Sequence, residues 1–215
     1  MDSFWKKLEN FWYHYKWRTI IISFFVVIAV VCLIQTFQKE NFDYYVIYVG
    51  DENITDTRQS DIVNSFKKIG IDTDKNGKVT INFSQLVYDP SSAEYYANGT
   101  NSNAEQYLGT MAVLPYYIYI MPEEIYLSYK DTGVFIQLSE VFGDKLPASA
   151  YDECALYLNK TNFAKNNPGV NLFSDNTVVA LKVVPYVSDK NGLKKEQNSF
   201  TNHMILFKEI VYYGE

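Results

Sequence analysis

Hydrophobic and polar positions divide the chain into one long apolar run near its start and a series of short apolar segments after it. From Ile20 to Ile34 the only polar residue is Ser23, and Thr19–Phe37 holds 19 residues without a charge. As a helix that run spans about 28 Å, close to the ~30 Å hydrocarbon core of a bilayer. After Glu40 the pattern changes. Tyr44–Val49 (YYVIYV) is continuously aromatic and β-branched and ends at Gly50, as a strand buried on both faces does. Ile62, Val63, Phe66 and Ile69 fall at helical spacing, with Lys67 and Lys68 in the last turn and Gly70 at the stop. Lys78–Val87 alternates Val79, Ile81 and Phe83 with Thr80, Asn82 and Ser84, a second strand.

Tyr88–Asn101 is a polar loop. Ser102-Asn103-Ala104-Glu105 then forms a capping box before a helix carrying Ala104, Tyr107, Leu108, Met111 and Ala112, closed by Pro115. Tyr116–Met121 (YYIYIM) predicts a third buried strand, and Pro122-Glu123-Glu124 starts a helix over Ile125–Lys130 that stops at Gly133. Beyond it, Ser139–Phe142 and Asp152–Leu158 predict short helices, Thr177–Val184 a strand, and Ser199–Val211 a closing helix. The order β-α-β-α-β-α predicts an α/β fold: an N-terminal transmembrane helix, then one mixed, mostly parallel sheet domain with helices on both faces.

Four basic residues (Lys6, Lys7, Lys16, Arg18) precede the apolar run, and Lys39 is the only one in the twenty residues after Phe37. The positive-inside rule puts the N-terminus in the cytoplasm. Cleavage as a signal peptide needs small residues after the run, and Gln35-Thr36-Phe37-Gln38-Lys39-Glu40 offers none. Ala29-Val30-Val31 ahead of Cys32 does not read as a lipoprotein site. Trp5, Trp12 and Trp17 with Phe4, Phe11, Tyr13 and Tyr15 mark residues 4–17 as an interfacial lead-in. The expected partition is a cytoplasmic lead-in over 1–18, a signal-anchor helix over 19–37 in the lipid bilayer, and an extracellular domain over 41–215.

Charge adds one exclusion. Residues 1–18 carry four basic and two acidic groups, so in a chain of net −6 the remainder sums to −8. An acidic domain without a basic stripe excludes nucleic acid as a partner class.

Chemistry has few carriers. Cys154 is the one cysteine after the apolar run, so the domain has no internal disulfide; a small buried hydrophobe is its plainest role. His14 lies before the span, which leaves His203, and no nucleophile-elbow signature or Gly-rich phosphate loop accompanies it. The expectation is a protein that is not an enzyme. Asp72-Thr73-Asp74-Lys75-Asn76-Gly77-Lys78-Val79-Thr80 matches the first half of a calcium loop, with Asp72, Asp74, Asn76 and the Lys78 backbone as ligands, but Phe83 stands where a bidentate Glu belongs. The same residues also build an ordinary tight turn into a strand.

In open α/β sheets, ligands sit at the carboxyl ends of the strands. The segments that follow those ends offer Asp51, Glu52, Asp89, Ser91, Ser92, Tyr95, Tyr96 and Glu123 as contacts for a small polar ligand. All three Trp residues lie before residue 18, so a sugar would have to stack on Tyr95 and Tyr96.

FWYHYKW (11–17) ahead of a single helix resembles short membrane-anchored proteins of Clostridia-type Firmicutes. DTDKNGKVTINFSQL (72–86) and LGTMAVLPYYIYIMPEEIYLSYKDTGVFIQLSE (108–140) are similar to the N-terminal lobe of extracellular solute-binding proteins of ABC importers, of the periplasmic binding protein type 2 kind. The carriers are the strand Tyr116–Met121 and a G-x-F-x-x-L segment, Gly133-Val134-Phe135-Ile136-Gln137-Leu138. The resemblance implies a lobe-like α/β domain, a bound solute and association with an importer. Members of that family have two lobes and about twice this length; the present chain has room for a single compact lobe or a degenerate pair of lobes, and has a transmembrane anchor instead. The leading expectation is therefore a membrane-tethered binding module for a small solute, a peptide or an envelope protein. A structural or assembly factor docking on membrane proteins comes second, and a glycosidase-like hydrolase using Glu123 and Glu124 third.

Overall fold

The computed structural model describes residues 2–37, 42–50, 53–87 and 114–214. Helix α1 (Asp2–Phe37) belongs to one compact unit, and the chain from Phe42 onward forms a second. The lead-in and the apolar run are one uninterrupted helix of 36 residues, about 54 Å long. Its stretch Phe11–Cys32 is long and apolar enough to cross a membrane, and none of it is buried.

The second unit is built on a five-stranded mixed sheet in the order β2-β1-β3-β5-β4. The strands are β1 (Tyr44–Gly50), β2 (Ile81–Val87), β3 (Ile118–Pro122), β4 (Ala155–Tyr157) and β5 (Thr177–Leu181). β1 pairs in parallel with β2 and β3, placing Val46 opposite Phe83 and Ile118. β5 runs antiparallel to β3 and β4, so it alone opposes the common direction. The sheet is mixed, as expected, and β5 is the strand that makes it so. The chain leaves β4 at its carboxyl end and enters β5 from that same end, where Asn176 accepts from the Glu123 amide at 2.8 Å. A continuous apolar run such as TVVAL carries no mark of direction.

Strand residues alternate between two buried clusters, which is why the runs read as continuously apolar. Val46, Tyr48, Ile118, Ile120, Val179 and Leu181 face a core closed by α2 (Asp56–Ile69) and the long α6 (Lys190–Tyr212). Ile47, Val49, Tyr119, Met121, Val178 and Ala180 face the other, where Tyr126 of α3 (Glu123–Leu127) packs with Tyr129 and Phe135. α2 opens on Thr55, whose hydroxyl accepts from the Arg58 amide, and stops at Gly70 as its lysine-rich last turn predicts. The expected helix over Asp152–Leu158 is instead a turn followed by β4. The Asp152 carboxylate accepts from the amides of Cys154 and Ala155 at 2.9 and 3.0 Å, which holds a tight turn rather than a helical one. α6 begins nine residues earlier than the apolar pattern marks, because Asp189 caps it by accepting from the Gly192 amide. Short α4 (Leu138–Phe142) and α5 (Asn162–Lys165), with 3-10 turns at Lys130–Thr132 and Leu158–Lys160, complete the described helices. The helix expected over Ala104–Ala112 lies outside the described residues.

Candidate ligand face at the carboxyl ends of the strands

After β1 the chain turns onto the face of α2, and after β3 onto the opposite face with α3. β1 and β3 are adjacent and parallel, so the chain diverges between them, which is where open α/β sheets leave a crevice. Of the ligand contacts expected from sequence, Glu123 stands there, as the first residue after β3. Asp51, Glu52, Asp89, Ser91, Ser92, Tyr95 and Tyr96 lie outside the described residues.

Glu123 is half-buried, and its Oε1 accepts from the Tyr151 phenol at 2.7 Å. That bond to an acidic partner is the main reason the Tyr151 hydroxyl is pushed up to about 12. Tyr151 packs edge-on against Tyr157 at 4.9 Å and against Tyr126 at 5.7 Å. Lys160 Nζ lies 3.6 Å from the centre of the Tyr157 ring. Tyr126 donates to both oxygens of Asp152 at 2.7 and 2.8 Å, and burial followed by that contact raises its phenol far above the usual range. Tyr126 is fully buried, whereas Tyr151 and Tyr157 are partly exposed beside Glu123. Sequence reading missed them because Asp152–Leu158 reads as a helix, which scatters Tyr151 and Tyr157 to unrelated faces.

Arg58 sits in the first turn of α2, eight residues after the end of β1, with its guanidinium carbon 4.4 Å above the Phe173 ring and Nε donating to the Gly169 carbonyl at 3.4 Å. The loop after β1 is tied down by Gln85, whose Oε1 accepts from the Ile54 amide at 2.9 Å while Nε2 donates to Asn53 at 3.0 Å. The signal for Arg58 was present: it is the only basic residue in 51–60, on a polar stretch directly following a buried strand.

The calcium-like loop lies elsewhere, beside the start of β1. Asp72 accepts from the amides of Asn76 and Gly77, Asp74 from the amide and side chain of Asn76, and Asn76 from the Lys78 amide. Gly77 adopts a φ of +85°, which few other residues tolerate. A third acid, Asp43, brings a carboxylate oxygen within 4.8 Å of those of Asp72 and Asp74. Asp43 is already committed: its two oxygens accept from the amides and hydroxyls of Thr73 and Thr80 at 2.6–2.8 Å. Burial pushes its carboxyl up, and these four bonds more than offset that, holding it below the usual range. The loop oxygens serve its own backbone, and Phe83 at the last ligand position is buried in β2. The donor set therefore falls short of a calcium cage.

Among the described residues after α1, His203 and Cys154 are each constrained by their surroundings. His203 is fully buried; its Nε2 accepts from the Tyr45 amide at 2.8 Å, so Nδ1 carries the proton and donates to the Ser199 carbonyl at 2.7 Å. Burial pushes its imidazole down to about 4. The Cys154 thiol is raised, by burial first and then by Asp152, which disfavours the thiolate.

Comparison of the chain with protein-family models, with curated proteins and with solved structures finds no match in any of the three.

Proposed function

We propose that the chain is a single-pass, membrane-tethered binding module whose domain lies outside the cell and holds a small polar solute or a peptide end at the carboxyl ends of β1, β3 and β4. The observation that carries this reading is the divergence of the chain between adjacent parallel strands, with Arg58 in the first turn of the helix that follows one and Glu123 directly after the other. A planar guanidinium is suited to a carboxylate, and a half-buried carboxylate to an ammonium. An amino acid or short peptide carries both groups. Tyr151 and Tyr157 supply aromatic surface for its side chain.

The tether rests on α1, whose length and composition suit a bilayer, and on the basic residues ahead of Thr19, which orient the N-terminus inward. The resemblance to solute-binding proteins favours the same reading and makes an ABC importer the natural membrane partner. The reading is non-enzymatic, because His203 is spent on two backbone groups and the Cys154 thiol is held protonated.

The test is thermal unfolding of the full chain in lipid nanodiscs against amino acids, di- and tripeptides, and sugars. An amino acid or peptide is expected to raise the midpoint by several degrees at about 100 Kd, and Arg58→Ala and Glu123→Gln are expected to remove the rise. A flat panel, together with membrane proteins that co-purify with the chain, would sink this reading in favour of an assembly factor. Protease added to intact cells is expected to digest the domain.

A further inference from the structure

The amino ends of β1 and β3 carry apolar surface that the domain leaves open. Phe42, Tyr45 and Tyr116 are half-buried there, with ring centres 6.0 Å apart between the first two and 6.2 Å between the last two. Beside them lies a half-open groove walled by Leu114, Val134, Val183, Val184 and Pro185. Its polar members are tied up within it. Lys182 Nζ donates to the Leu114 carbonyl at 2.6 Å and feels the charge of Glu196, whose carboxylate accepts from the Tyr117 phenol. What the groove offers is therefore apolar surface. At its rim Tyr186 is 94% exposed, the highest value for a large apolar side chain among the described residues. A lone exposed aromatic is ordinary on a protein surface, but this one continues an open apolar groove.

Positive charge gathers at the same place. From Val187 the chain runs into α6, whose first two turns present Lys190, Lys194 and Lys195, all exposed. A cation in the first turn opposes the helix dipole, and Asp189 at the cap is the acid that offsets it. Residues 186–195 thus carry three basic groups against one acidic, in a domain that is acidic as a whole. The chain also arrives at this end. Phe42 follows Phe37, where α1 ends, by five residues, which covalent geometry limits to about 17 Å. The headgroup zone is about 5–8 Å deep on each side of the hydrocarbon core. A span that ends at Phe37 therefore keeps the amino end of β1 close to lipid.

We infer that this end of the domain docks on the surface of the bilayer. Tyr186 and Val187 enter the headgroup layer, where amphipathic rings settle, and Lys190, Lys194 and Lys195 meet the phosphates of anionic lipids. This docking rests on the membrane-tethered reading of α1 and adds an orientation to it. The carboxyl ends of the strands, with Glu123, face away from the lipid.

The test uses the full chain in nanodiscs of phosphatidylcholine, with and without phosphatidylglycerol, labelled with a fluorophore at one cysteine in a Cys32→Val, Cys154→Ala background. Ser188→Cys puts the label beside Tyr186, and Asn171→Cys puts it in the exposed loop before β5, at the carboxyl ends of the strands. A quencher carried on lipid headgroups is expected to quench position 188 at least twofold more than position 171, and more in the anionic discs than in the neutral ones. Tyr186→Ser with Val187→Ser is expected to bring position 188 down to the level of position 171. Lys190→Gln, Lys194→Gln and Lys195→Gln together are expected to remove the difference between the two discs, as added salt does. A chain that elutes with the discs yet shows equal quenching at the two positions would overturn the docking and leave the tether standing. A chain that elutes apart from the discs would overturn both. Shielding of position 188 from a water-soluble quencher, without quenching from the lipid, would assign this face to a protein partner and also overturn the docking.

Discussion

Asp43 and Glu123 are both acids placed at an end of a central parallel strand, and their surroundings differ in kind. Asp43 stands just before β1 with four short hydrogen bonds to Thr73 and Thr80, two of them from backbone amides. Glu123 stands just after β3 with a carboxylate oxygen on the phenol of Tyr151. A backbone donor cannot leave without unfolding its segment, whereas a phenol rotates away at small cost. Acids held by backbone therefore belong to the fold, and acids held by exchangeable side chains are the ones available to a ligand.

The contrast breaks most readily at Asp43. Asp43→Ala deletes four bonds to a buried carboxylate and leaves Thr73 and Thr80 without their partner. It is expected to cost about 4 kcal/mol, and roughly 8–16 °C in midpoint for a domain of this size, read by thermal unfolding. A loss under about 1 kcal/mol would mean that the loop is not held by this acid.

His203 sharpens the contrast through pH. Its imidazole titrates near 4 in the fold and near 6.5 when unfolded, so between those values the unfolded chain carries a proton that the folded one excludes. The stability His203 contributes is complete above about pH 6.5 and is expected to fall by about 3 kcal/mol by pH 4, as protonation of Nε2 breaks the bond to Tyr45. Denaturant unfolding as a function of pH measures it, and a His203→Gln variant is expected to flatten that part of the profile.

At the ligand face the expected effects on the fold are small. Tyr151→Phe removes a single side-chain bond to Glu123 and is expected to cost about 1 kcal/mol or less, with the Glu123 carboxylate left to water or ligand. A cost near that of Asp43→Ala would erase the distinction drawn between the two acids. Smallest of all is the expected response to calcium. With the Asp72, Asp74 and Asn76 oxygens serving the loop backbone, titration is expected to give no saturable heat below about millimolar metal. A micromolar isotherm abolished by Asp72→Ala would show that those oxygens exchange partners after all.

Local pattern was enough to locate most of the elements. The uncharged run, the buried strands at Tyr44 and Tyr116, the alternation through Ile81 and Phe83, and the lysine-rich, glycine-stopped end of α2 each carry their cause within a few residues. Glu123 was legible as a site residue for the same reason, since it follows a recognisable strand. Tyr151 and Tyr157 were not, because their significance depends on which loops the sheet order brings together.

Periodicity along the chain reports how each segment meets water, and that was settled before any folding partner was chosen. The direction of β5, the strand at Ala155–Tyr157 and the meeting of Lys182 with Tyr117 and Glu196 are different in origin. They join residues far apart in the chain, whose pairing is selected by packing and hydrogen bonding across the whole domain and leaves no local trace in either partner.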